Sequence, residues 1–281
     1  MGWIQAVHSI GPDARFDLFR ALARSRLIFW HRTDAAWKVV RRHGALTALR
    51  TAVHRDRTAT MISKLPNWIW AGSWVLAFIA GIVNVVGLLG VEHQAITHLT
   101  GNTSLLAAAI AGFNLSATIH FAALIGAFVV GTVLSGFIIQ DTTLQLGRRY
   151  GVALLLVSLL LFLAVPLFKY KSAYGMYAAA CACGLQNAMV SAYSGAVVRT
   201  THLSGMFTDL GIFLGHALRG VPVDQRRLRL CFIVISGFLC GGIAGAFAFK
   251  AFSYSALLFP ASLTAIVAIA YGLYRFRVGH S

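Results

Sequence analysis

The chain has 281 residues, of which 58% are hydrophobic and only 11% charged. Soluble domains carry about 25% charge, so a typical water-soluble enzyme, a disordered chain, a collagen and a disulfide scaffold are excluded. The net charge is +16, from 24 Lys and Arg against 8 Asp and Glu. On a soluble chain that balance would point to nucleic acid. With so much apolar sequence it points to a multi-pass membrane protein.

The charge is uneven along the chain. Residues 1–64 hold 12 basic and 4 acidic residues. The other 217 residues also hold 12 basic ones, but their only acids are Glu92, Asp141, Asp209 and Asp224. A basic extension therefore precedes an apolar body, with the boundary near Met61–Pro66. The extension has no apolar run long enough to span. It reads as a cytoplasmic tail that is amphipathic on anionic lipid, or as an upstream stretch ahead of a true start at Met61. No zinc spacing or helix-turn-helix signature supports nucleic acid.

Six long apolar stretches follow in chain order: Trp68–Gly90, Leu115–Ile139, Gly151–Phe168, about 170–193, Leu230–Phe249 and Ser255–Tyr274. Each matches the roughly 20 residues that cross about 30 Å of hydrocarbon as helix. Two shorter segments, Ile96–Ala111 and Thr201–Leu218, begin polar and stay apolar for only about three turns. They read as full spans, giving eight, or as re-entrant half-helices, giving six. Six spans put Arg148, Arg149, Arg199, Arg219, Arg226, Arg227, Arg229, Arg275 and Arg277 on the inside and only Lys169, Lys171 and Lys250 outside. That is the positive-inside pattern. Trp68, Trp70 and Trp74 fit the inner interface, and Tyr170, Tyr174 and Tyr177 the outer one.

The short segments belong to an internal repeat. Gly81-Ile82-Val83-Asn84 precedes Thr97-His98-Leu99-Thr100-Gly101-Asn102-Thr103, and Gly184-Leu185-Gln186-Asn187 precedes Thr201-His202-Leu203-Ser204-Gly205. Asn to His is 14 residues in the first copy and 15 in the second. Ala127, Gly131 and Ser135 form a small-residue face matched by Gly237, Gly241 and Gly245. Such faces let helices approach closely in lipid and also permit a homo-oligomer. The expected fold is all-α: a polytopic bundle of six spans plus two broken half-helices, arranged as an inverted 3+3 repeat. The domains read as 1–64, then repeats at 65–171 and 172–281.

The candidate substrate path comprises Asn84, His98, Asn102, Thr103, Asn187, His202, Thr208 and Asp209. Polar groups at membrane depth need partners or a role. The competing reading is that they only satisfy backbone opened by the breaks. Thr100, Gly101, Ser204 and Gly205 read as scaffold for the breaks, with a Thr or Ser hydroxyl capping each short helix. The two helix starts are expected to meet near mid-membrane, where their N–H groups attract an anion. Asp209 has no basic residue in its immediate run, and His202 and His216 flank it seven positions away, which suits proton coupling. His120 and His216 read as packing histidines, Glu92 and His93 as an outer loop, Asp141 as a solvated inner loop. The four cysteines, at 181, 183, 231 and 240, lie in apolar segments without metal-ligand spacing, so no metal or cofactor is expected.

These motifs, together with Lys64-Leu65-Pro66 and the run Thr201 to Gly211, make residues 61–275 similar to the YoaK-like DUF1275 family of bacterial membrane proteins. The resemblance implies an integral membrane protein with six spans. It brings no substrate, reaction or catalytic residue. The expectation is a small inner-membrane permease, not an enzyme, with both termini cytoplasmic. Its partners would be membrane lipid and a small metabolite or anion, with a proton as coupling ion. A structural or regulatory membrane protein is the alternative, and a membrane-embedded enzyme a more distant one.

Overall fold

The computed structural model describes residues 67–90, 93–139, 149–194 and 199–278. The chain divides into Met1–Ala59 and Thr60–Ser281, and every described residue belongs to the second unit. The basic extension, Lys64-Leu65-Pro66, Glu92, Asp141 and Arg148 lie outside the described residues, so the expectations attached to them do too.

Among the described residues every regular element is helical. In order they are α1 (Asn67–Leu89), α2 (Leu99–Ala111), α3 (Leu115–Ile138), α4 (Arg149–Lys169), α5 (Tyr174–Tyr193), α6 (Leu203–Leu218) and α7 (Gln225–Phe252). A 3-10 turn, Ser253–Leu257, leads into α8 (Leu258–Val278). Side-chain caps start two of them. Asn114 accepts the Ala117 N–H at 3.0 Å before α3. Asp224 accepts the N–H groups of Arg226 and Arg227 at 3.0 and 3.2 Å before α7. The short helices start at His98 and His202 with no side-chain cap. The capping role expected of Thr100 and Ser204 is therefore corrected. Each is already the second residue of its helix, past the position from which a hydroxyl reaches the free N–H groups.

Four stretches are long and apolar enough to cross a bilayer: Ile69–Leu89, Leu115–Ile138, Arg149–Lys169 and the 50-residue Gln225–Tyr274, which contains α7, the turn and most of α8. Helix α5 is long enough but less apolar. It is also buried along much of its length, including Ala179, Leu185 and Met189. A helix wrapped by other helices has little surface to offer lipid, and small or polar side chains suffice there.

The glycine faces set the packing. Helix α7 lies on α1: a Cβ at Gly241 would strike the Phe78 carbonyl, one at Gly81 the Phe238 carbonyl, and one at Gly237 would sit 2.7 Å from the Trp74 carbonyl. Helix α3 lies on α5 in the same manner. A Cβ at Gly131 would strike the Cys181 carbonyl, and one at Gly184 the Phe128 carbonyl. Gly245 abuts Ile82, Ser135 is buried, and Ala127 packs against the core. Both small-residue faces are thus occupied within the chain. They are not the surface that a second copy would use.

Cross-links define two ends. The Tyr150 hydroxyl donates to the Met189 carbonyl at 3.1 Å, tying the start of α4 to the end of α5. Tyr271 packs beside Gly151, and the Arg229 guanidinium carbon lies 5.6 Å above the Trp70 ring. The starts of α1, α4 and α7 and the ends of α5 and α8 therefore gather together. At the far end Tyr254 meets Gly90, stacks on Phe168 with ring centroids 4.7 Å apart, and packs edge-on against Phe249. Arg149, Arg226, Arg227, Arg229, Arg275 and Arg277 occur at helix termini on the first, arginine end, whereas Lys169 and Lys250 mark the lysine end.

Candidate functional site

Each short helix forms a polar hinge with the long helix before it. At the first hinge, α1 brings Asn84 beneath the loop that follows. Its Oδ1 accepts from the Thr97 N–H at 2.9 Å and from the Thr97 hydroxyl at 2.8 Å. Asn102, 2% exposed, donates from Nδ2 to the Ala95 carbonyl at 3.2 Å. The His98 carbonyl accepts the Asn102 N–H at 3.0 Å, and its ring covers Gly101, where a Cβ would sit 2.6 Å from Nδ1. This hinge is closed by its own hydrogen bonds.

The second hinge shares the sequence but not the bonding. The Asn187 Oδ1 and the Thr200 Oγ1 are buried without a hydrogen-bond partner. The His202 ring covers Gly205 as His98 covers Gly101, and the His202 carbonyl accepts the Met206 N–H at 3.3 Å. One residue more separates Asn from His here. The Thr that would follow the first hinge's pattern is displaced in register, and Asn187 is left with an empty acceptor.

The hinges stand at opposite ends. Helix α2 packs on α3 and leaves from the lysine end of α1, while α6 packs on α7 and leaves from the arginine end of α5. Gln186 donates from Nε2 to the Leu76 carbonyl at 2.7 Å, so the Asn187 level of α5 matches the Leu76 level of α1. Asn84 lies eight residues further along α1, about 12 Å at 1.5 Å per residue. The expected meeting of the two helix starts at one mid-membrane point is corrected accordingly: each start stays on its own side.

The other expected path residues are dispersed. Asn84 and Asn187 are half-buried, Asn102 is buried, and His98, Thr103, His202 and Thr208 are exposed on the chain. The Thr208 hydroxyl is spent on the Ser204 carbonyl at 2.9 Å. Asp209 has a basic partner after all, the Arg227 guanidinium at 3.1 Å. That arginine is 18 residues away, on the next helix, so it is absent from the immediate run. Ser135 Oγ, in the α3 face, is a third buried oxygen without a partner.

Two features are not evident from the sequence. His120 uses both ring nitrogens, Nδ1 with the Tyr177 hydroxyl at 3.0 Å and Nε2 with Gln94 Oε1 at 3.1 Å. It is a satisfied packing histidine, joining α3, α5 and the loop after α1. The second is an apolar cavity at the arginine end, bounded by α1, α4, α5 and α8. Among the described residues no group of three His, Cys, Asp or Glu is placed to hold a metal.

A family model described as a protein of unknown function (DUF1275) matches residues 72–270. The chain belongs to the DUF1275 family. No curated protein and no solved structure matches it. The DUF1275 match contains both hinges, both glycine crossings and the Asp209–Arg227 pair, and it begins after Lys64-Leu65-Pro66. The family-defining part is therefore the membrane-like helical body.

Proposed function

We propose that this DUF1275 protein is a small permease built from two inverted three-span halves, each carrying one re-entrant half-helix. The supporting observation is the exchange of equivalent contacts. Gly81 and Gly184 head the two GxxN motifs, and each meets the carbonyl of the corresponding Phe, 238 or 128, in the other half. Helices α1 and α5 share a cavity wall near the start of one and the end of the other, so they run in opposite senses. Inverted halves with broken helices are the usual plan of secondary transporters. The arginine end faces the cytoplasm by the positive-inside tendency, and the membrane is a bacterial inner membrane.

The path in this reading runs between the halves, with Asn84 and Asn187 as its two polar stations. The cargo is a small metabolite or anion, and the protein moves it without covalent chemistry. The Arg227 partner holds Asp209 as a carboxylate, so Asp209 is not needed as a proton carrier. The bonded Asn84–Thr97 hinge favours a second reading, a structural membrane protein whose polar groups only support the breaks.

Cysteine accessibility separates the two without knowledge of the cargo. Asn84→Cys and Asn187→Cys are made in a chain whose native cysteines are Ser, and membrane-impermeant maleimide is applied to oriented vesicles. A permease gives labelling at position 187 from the arginine side and at 84 from the lysine side. Protection of both positions from both sides would leave the structural reading standing.

A further inference from the structure

The cavity at the arginine end has a volume of about 410 Å³, within the range of roughly 300–1,000 Å³ that ligand sites occupy. Its walls are apolar: Gly72 and Leu76 of α1, Leu154 of α4, Val190 of α5, Val267 and Ala270 of α8. Three tyrosines, Tyr150, Tyr193 and Tyr271, complete the lining, and the Tyr150 hydroxyl is committed to the Met189 carbonyl. At the lysine end the same four helices are closed by side chains. Phe168 and Tyr254 stack there and press on Gly90 and Gly175. No described side chain performs that filling at the arginine end. Apolar voids of this size are costly to leave empty, because their walls lose contacts on one side.

The rim specifies the occupant. Arg149 immediately precedes Tyr150, and Arg229 lies over Trp70, which sits between the lining residues Ile69 and Ala71. The two described acids nearby in sequence are already engaged, Asp209 with Arg227 and Asp224 as the α7 cap. An apolar slot beneath a cationic, aromatic rim fits a molecule with a hydrocarbon tail and an anionic head. Basic pockets between spans on the cytoplasmic side recognise such headgroups. We infer that the cavity holds one acyl chain of an anionic phospholipid, with its phosphate at Arg149 and Arg229. The chain acts as a removable wedge between the α1–α5 and α4–α8 pairs. This inference does not depend on the transport reading.

The test uses the full chain, equilibrated with vesicles of phosphatidylglycerol and phosphatidylcholine in equal parts, then extracted for native mass spectrometry. The wild type is expected to retain one phosphatidylglycerol in preference to phosphatidylcholine by about tenfold. Gly72→Leu fills open space, since a Cβ at Gly72 meets nothing within 4 Å. It should abolish retention while helical content and monodispersity persist. Ala270→Leu provides the same filling from α8 should Gly72→Leu fold poorly. The double variant Arg149→Gln with Arg229→Gln should keep a lipid bound but lose the preference for the anionic head. Full retention in both filled variants, an unchanged preference in the double variant, a retained free fatty acid in place of phospholipid, or no retained lipid in the wild type would each overturn the inference.

Discussion

The two hinges carry one motif and reach two states. In the first, Thr97 gives both its N–H and its hydroxyl to Asn84. In the second, Asn187 Oδ1 and Thr200 Oγ1 are both buried and both unpaired. The difference follows from a single extra residue in the second connection. A duplicated element can keep its packing residues, here the glycines and the His over Gly, while its polar chemistry diverges. The first hinge is a strut, and the second offers a free acceptor to whatever can donate to it.

The strongest challenge to that comparison is to attack what the halves share. Gly131→Leu and Gly241→Leu should be about equally damaging, because each forces a side chain into a facing carbonyl. Overpacking of this type costs about 1–3 kcal/mol and more where backbones touch. Both variants should lose most folded protein in detergent size-exclusion chromatography. If one is tolerated, the equivalence of the crossings fails.

The hinge contrast itself is tested by Asn84→Ala against Asn187→Ala. The first strips partners from Thr97, which is 6% exposed, and should cost about 1–3 kcal/mol. The second removes an oxygen that accepts nothing and should be nearly neutral in thermal unfolding. Equal destabilisation would mean that Asn187 is also a strut. A smaller effect is expected at His120, whose counterpart position in the other half carries no such cluster. His120→Phe and Tyr177→Phe should show a coupling of about 0.5–1.5 kcal/mol in a double-mutant cycle. Smallest of all is Asp209→Asn. The Asp209–Arg227 pair is partly exposed, and pairs of that type contribute about 0–1 kcal/mol. Its removal should barely move the unfolding midpoint.

Much of the helical layout is legible in the sequence because lipid imposes length and apolarity on each segment. The edges of α1, α3 and α4 fall within a few residues of the apolar runs. Helix α5 is the informative exception, since burial among helices relaxes the apolar requirement that marks a span. The candidate site is less legible. Asn84 and Asn187 look identical in their GxxN motifs, and only the folded loops reveal that one acceptor is filled. Arg227 reaches Asp209 across a turn, and Gln94, His120 and Tyr177 converge from three separate segments. The cavity has no sequence signature, because it is defined by side chains that are too small to close it.

The crossing of α1 with α7 has a consequence for synthesis. Gly81 emerges from the ribosome 157 residues before Phe238, whose carbonyl it meets. The first helix thus enters the bilayer long before its principal neighbour exists, with a notched face turned to lipid. Contacts so distant in sequence form late. A chain interrupted after α4 would leave α1 and α3 both widowed, so neither half is expected to mature alone. Insertion factors that shield helices in transit would find their longest task at α1.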